Sequence, residues 1–235
     1  MSTEDWQMFW NTTNDTLKHT TGDVQSNGIH MTKIGYFGDS FCESKAKDSW
    51  CVLLADRLNA EVVNWGSGGA SVWKTFMEYE SFKEKDSIPD ICVFCWTEPY
   101  RLYHPRLPIA KGAVPIPGED EQVYKAADMY YVYLQNYRKE ELAYKYALQW
   151  FDRHVLAEND KQILQTWSMK PFELAGRNVD IKLKSGKFLD ESMLEFAWGG
   201  KTTKSGFKFD ISLSNHMTTE QNAQWCSKMF EALCR

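Results

Sequence analysis

Three short runs in this chain carry residue types that suit acyl chemistry. Gly38-Asp39-Ser40 follows the apolar run KIGYF (33–37). Asn64-Trp65-Gly66 ends EVVNW (61–65) and continues into a Gly/Ser turn, and Thr97-Glu98-Pro99 follows DICVFCW (90–96). A fourth element, His216, lies far downstream, two residues before Thr218. A serine on a tight turn can expose both its hydroxyl and its own amide, and a histidine can accept the hydroxyl proton. A second amide from a glycine turn can face the oxyanion. Each residue also has a plainer use. Asp39-Ser40 can be a turn that satisfies its own backbone donors, His216 can help cap a helix, and Gly66, Gly68 and Gly69 can serve only a sharp bend.

The elements needed to hold these residues are legible in the hydrophobic pattern. KIGYF, EVVNW and DICVFCW read as strands, the last apolar throughout, as a central parallel strand buried on both faces must be. Between them lie two helical patterns, one with Trp50, Leu53, Leu54 and Leu58 at helical spacing and one with Val72, Phe76 and Phe82 on one side. Residues 99–120 hold five of the seven prolines and are expected as a long surface loop. A long, aromatic-rich helical stretch is expected over about 121–156, and QILQTW (162–167) as a fourth strand. Residues 171–210 are expected to be irregular, with a short hairpin around Ser185-Gly186. Thr218 and Gln221 have capping-box spacing at the head of a last helix, with Trp225, Met229, Phe230 and Leu233 inward. Alternating strands and helices predict an α/β, flavodoxin-like doubly wound sandwich, a central parallel sheet flanked by helices. Sites in such sheets lie beyond the carboxyl ends of the strands, where all three turns fall. Residues 1–30, mixed and rich in turn formers, are expected to be an N-terminal arm before a domain over 31–235.

Composition removes several classes. With 27 basic and 32 acidic residues the net charge is −5, without the basic excess by which nucleic-acid binders displace counterions, so no nucleic-acid partner is expected. The longest apolar run, Ile91 to Trp96, is far short of the ~18–20 residues of a membrane span. The opening MSTEDWQMFW carries acids where a secretory signal carries positive charge, so no signal peptide is expected and the location is cytoplasmic or virion-associated. Cys92 and Cys95 are three apart in a strand, which points them to opposite faces; no second pair at zinc spacing follows, and no metal is expected. No loop of hydroxyls and glycines follows the first strand to cradle a phosphate, and no cofactor is expected. The 10 Trp, 13 Phe and 11 Tyr supply core and helix packing, and a subset could stack on sugar rings.

Taken together, GDSFCES from Gly38, NWGSGGAS from Asn64 and SNHMTTEQN from Ser214 resemble the first, second and last blocks of the SGNH (GDSL-type) hydrolases, in matching order along residues 31–235. WTEPYR after the third strand is similar to compact, phage-encoded members. The resemblance implies an SGNH hydrolase fold, Ser40 as nucleophile, His216 as general base, and the Ser40 and Gly66 amides as oxyanion donors. There are two departures from the family pattern. Leu213 stands where the family has an acid three residues before the histidine, which leaves Asp210 as the nearest carboxylate to orient His216, with Asn215 adjacent. Glu98 stands where the family has an oxyanion-binding asparagine, with Arg101 three residues on; Glu98 and Arg101 are candidate substrate-binding residues.

The expected activity is a serine esterase acting on short O-acyl esters, acetyl above all, of a small molecule or a glycan, through an acyl-Ser40 intermediate. The alternative is a binding or structural protein, such as a virion component, that keeps the shell with little or no catalysis. Polar and basic residues after the third strand, among them Arg101, His104 and Arg106, point to short acyl groups rather than lipids. Trp6, Phe9 and Trp10 make a protein partner for residues 1–30 an expectation, because exposed aromatic clusters are costly alone.

Overall fold

The computed structural model describes residues 31–112, 118, 121–170, 181–198 and 213–234. The arm expected over 1–30 lies outside the described residues. Five strands form one sheet in the order β2-β1-β3-β4-β5, all parallel: β1 (Thr32–Gly38), β2 (Ala60–Asn64), β3 (Ile91–Trp96), β4 (Gln162–Trp167) and β5 (Lys187–Ser192). The chain is thus α/β, with helices flanking a central parallel sheet in a layout compatible with flavodoxin-like winding.

Strand alternation divides the core into two layers. Ile34, Tyr36, Val93 and Cys95 face one side, where α1 (Trp50–Leu58) and α6 (Thr219–Cys234) deliver Trp50, Leu54, Trp225 and Met229. Phe37, Cys92, Phe94 and Trp96 face the other, against Phe76 and Tyr79 of α2 (Val72–Glu84) and Tyr144 and Phe151 of α4 (Tyr137–Phe151). Every residue of β3 is buried, which is why its sequence is apolar throughout. Cys92 and Cys95 fall in opposite layers as their odd spacing requires, and burial pushes the Cys92 thiol up to about 12.

Three expectations are corrected. The stretch 121–156 is not one helix: α3 (Glu121–Tyr133) ends, and Asn136 caps α4 by accepting from the Lys139 amide at 3.0 Å. An asparagine side chain competes for backbone donors and so favours a cap over a helix interior. A π-helical turn, Asp152–Leu156, follows α4. Ser185-Gly186 does not make a hairpin but leads into β5, which runs parallel to β4 and then enters α5 (Met193–Ala197). The described part of the Pro-rich segment is not merely a surface loop. Leu107 and Ile109 are buried with Tyr124 and Tyr131 of α3, and the Tyr131 hydroxyl donates to the carbonyls of Tyr100 and Ile109 at 3.0 and 3.2 Å.

Candidate active site

The first turn is built where β1 runs out beside β3. A Cβ at Gly38 would lie 2.5 Å from the Cys95 carbonyl oxygen, so only glycine lets the strands come this close. Asp39, fully buried, then caps a 3₁₀ turn over Ser40–Cys42, its Oδ1 accepting from the Phe41 amide at 3.1 Å. Ser40 thus starts a turn whose geometry is set by the residue before it. Among the described residues no hydrogen bond from its amide occurs.

Arg101 holds this turn from outside. Its Nη1 donates to Asp39 Oδ2 at 3.1 Å and to the Ala70 carbonyl at 3.2 Å, while its Nε donates to Glu98 Oε1 at 2.9 Å. The other Glu98 oxygen accepts from the Tyr100 amide at 2.7 Å. Glu98 is therefore turned into an ion pair with Arg101, with both of its oxygens engaged as acceptors. The guanidinium fork suits this task because it is planar and can serve several acceptors at once.

The Gly66 expectation changes. Its amide donates to the Cys42 carbonyl at 3.0 Å, so in this structure it is not available as an oxyanion donor. A Cβ there would lie 2.5 Å from Cys42 Sγ and 2.6 Å from the Asp39 carbonyl oxygen. Gly66 is the surface on which the Ser40 turn rests. The Ser67 amide adds a second tie, donating to the Gly38 carbonyl at 2.9 Å.

His216 arrives on a separate 3₁₀ turn, Ser214–His216, in which Asn215 (φ 52°) and His216 (φ 59°) are both left-handed. Two such non-glycine residues in succession are costly, and surrounding contacts must impose them. Those contacts come from side chains elsewhere. Asn215 Oδ1 accepts from the Ser44 amide at 2.8 Å. Buried Asn222 donates through Nδ2 to the carbonyls of Ser214, Met217 and Thr218 at 2.9, 3.1 and 3.2 Å, and its Oδ1 accepts from the Trp50 amide at 2.9 Å. Asp48 accepts from the hydroxyls of Thr219 (2.8 Å) and Ser214 (3.2 Å), and the Thr219 bond above all holds its carboxyl below its ordinary value. Thr218 and Gln221 form the expected capping box, with bonds of 2.9 and 3.2 Å.

The result is one short contact: His216 Nε2 lies 2.8 Å from Ser40 Oγ, across 176 residues of sequence. The Phe41 ring sits 5.0 Å from the imidazole. A cleft of about 300 Å³ opens here, lined by Ser40, Glu43, Ser44 and residues 213–216. Asp210 lies outside the described residues. Sequence reasoning missed Asn222, Asp48 and the Arg101–Asp39 bridge. Only the position of Asn222 in the first turn of the last helix was a signal, and it is a weak one. Among the described residues no cluster of metal-ligating side chains occurs, and no helix is long and apolar enough to cross a membrane. Neither a scan against protein-family models nor a search of curated proteins finds a match to the chain.

Proposed function

We propose that this protein is a serine esterase of the SGNH type that removes short O-acyl groups through an acyl-Ser40 intermediate. The observation that carries the reading is the 2.8 Å approach of His216 Nε2 to Ser40 Oγ, within the reach a general base requires. Ser40 Oγ attacks the ester carbonyl carbon while its proton passes to His216 Nε2. The oxyanion of the tetrahedral intermediate faces the Ser40 amide. Collapse breaks the bond to the alcohol, which leaves with the proton from His216. Water, deprotonated by the same ring, then attacks the acyl-serine, releases the acid and restores Ser40.

The cleft supports a small acyl group. Apart from Leu213 its lining is polar, and a long alkyl chain would gain little by entering it. The test is labelling with a fluorophosphonate probe followed by mapping of the modified residue. Ser40 is expected to carry the label, and Ser40→Ala to reduce turnover of p-nitrophenyl acetate to background, a loss of about 10⁴ or more. The acetate ester is expected to be preferred over the octanoate. Absence of labelling on Ser40 would overturn the reading and leave a binding protein in the same shell.

A further inference from the structure

Beside the nucleophile turn lies a second pocket of about 300 Å³, enclosed by the start of α2, the segment after β3, and helices α3 and α4. Its walls are unusually aromatic for exposed surface. Trp73 is 47% and Tyr103 46% exposed, and Tyr130 stands with them. Trp73 is set edge-on against Phe76 at 5.5 Å, so its ring is presented at a fixed angle by the core. Arg101 also lines the pocket. Its side chain is only 10% exposed, and Nε and Nη1 are committed as described. Nη2, however, has no hydrogen-bond partner among the described residues. The same guanidinium that borders this pocket touches Asp39, the residue before Ser40.

We infer that this pocket is a subsite for a neutral sugar ring, the alcohol side of the ester whose acyl group reaches Ser40. The inference deepens the esterase reading and rests on it for the reaction. Charge selects the class of ligand. Asp39 and Glu98 are two carboxylates sharing one guanidinium, and Lys139 and Glu140 at the pocket wall cancel, so the surroundings are net negative. A phosphate or carboxylate ligand is repelled. An alkyl chain would cover the remaining Arg101 N–H groups without replacing their bonds to water, at a cost. A pyranose meets both demands: its C–H faces lie on aromatic rings, and its hydroxyls accept from Arg101 Nη2 and donate to Glu140. Glu140 is held for this by Tyr130 Oη at 2.7 Å and Gln135 Nε2 at 3.0 Å.

The experiment measures binding separately from turnover. Ser40→Ala protein is mixed with xylohexaose, cellohexaose and chitohexaose in turn, and contact is read by saturation-transfer NMR. At least one is expected to bind, Trp73→Ala to weaken it about tenfold, and Trp73→Phe to keep most of it. Tyr103→Ala, on a different segment, is expected to weaken it as well, so a folding defect in one variant does not decide the result. No binding of any of the three sugars at about 10 mM, weaker than any affinity worth ~3 kcal/mol, would overturn the subsite. So would binding indifferent to both substitutions. If Ser40 takes the fluorophosphonate label but no sugar binds, the subsite fails alone. If a sugar binds through Trp73 but Ser40 is not labelled, the esterase reading fails and the subsite stands.

Discussion

Ser40 sits at the exit of a strand clamped between two parallel neighbours, whereas His216 sits on a short 3₁₀ turn that leads into α6. The first half of the site inherits its position from the sheet. Gly38 allows the close approach to β3, Asp39 caps the turn, and Gly66 backs it. The second half is held in a left-handed conformation by side chains reaching from other elements, Asn222 and Asp48 foremost. The sheet sets the first half, and the Asp39 and Arg101 side chains only fasten it, whereas among the described residues the second half rests on amide and carboxyl side chains and should be easier to break.

The largest expected effect therefore comes from Asn222→Ala. It takes the acceptor from the Trp50 amide and the donor from the Met217 carbonyl, while the Ser214 and Thr218 carbonyls keep the backbone amides of Met217 and residue 222, which should cost about 2 kcal/mol in urea unfolding. Because it also frees the His216 turn, turnover should fall more than for any change on the Ser40 side other than at Ser40 itself. An unchanged unfolding midpoint would show that the histidine turn holds without it.

Arg101→Ala comes next. It strips the partner from a fully buried carboxylate, Asp39, and should lower kcat for p-nitrophenyl acetate by about 10–100-fold. Arg101→Lys should recover only part, because an ammonium cannot reach Asp39, Ala70 and Glu98 together. Full rescue by lysine would reduce Arg101 to a point charge.

Acid should separate the halves. Burial raises Glu78 from 4.5 to about 7, with Lys74 opposing, and one of its oxygens has no hydrogen-bond partner among the described residues. Burial above all raises the Cys42 thiol in the Ser40 turn, and the Glu78 charge adds to it. A raised carboxyl means the folded state binds the extra proton, so stability should decline as pH climbs from about 4.5 to 7. Glu78→Gln should then stabilise by about 1–2 kcal/mol at pH 8, after discounting for partial exposure, and by nothing near pH 4. Asp48, on the histidine side, is shifted the other way: its contribution is present at neutral pH and lost as pH falls below the ordinary aspartate value of about 4. Thermal unfolding of Glu78→Gln and Asp48→Asn at both ends of the range checks the opposed signs.

The smallest effect is expected for Glu98→Gln. Arg101 already turns Glu98 aside, so p-nitrophenyl acetate turnover should change only a few-fold, under about 1 kcal/mol. A rise of two orders of magnitude would instead make Glu98 a brake on the oxyanion.

Much of the frame was legible from residue order alone, because hydrophobic period and capping are written in neighbouring residues. The apolar β3, the placement of Ser40 at the exit of β1, and the Thr218–Gln221 cap all follow from runs of ten residues or fewer. Strand β5 escaped because KFLDES, with only its last residue buried, carries no apolar alternation and owes its place to pairing with β4. The α3–α4 break escaped because Asn136 in an aromatic run reads as a tolerated helix residue until its cap is seen. The site itself was decided by tertiary structure. The amide of Gly66 could face an oxyanion or a carbonyl, and only the return of Cys42 to within 3.0 Å committed it to the carbonyl. Arg101 meets Asp39 across 62 residues, Asn222 meets Trp50 across 172, and His216 meets Ser40 across 176. Hydrogen bonds of that span have no local period to betray them. They exist because parallel strands joined by crossovers bring their carboxyl ends to one edge of the sheet, where distant turns must satisfy one another's polar groups or leave them buried and unpaired.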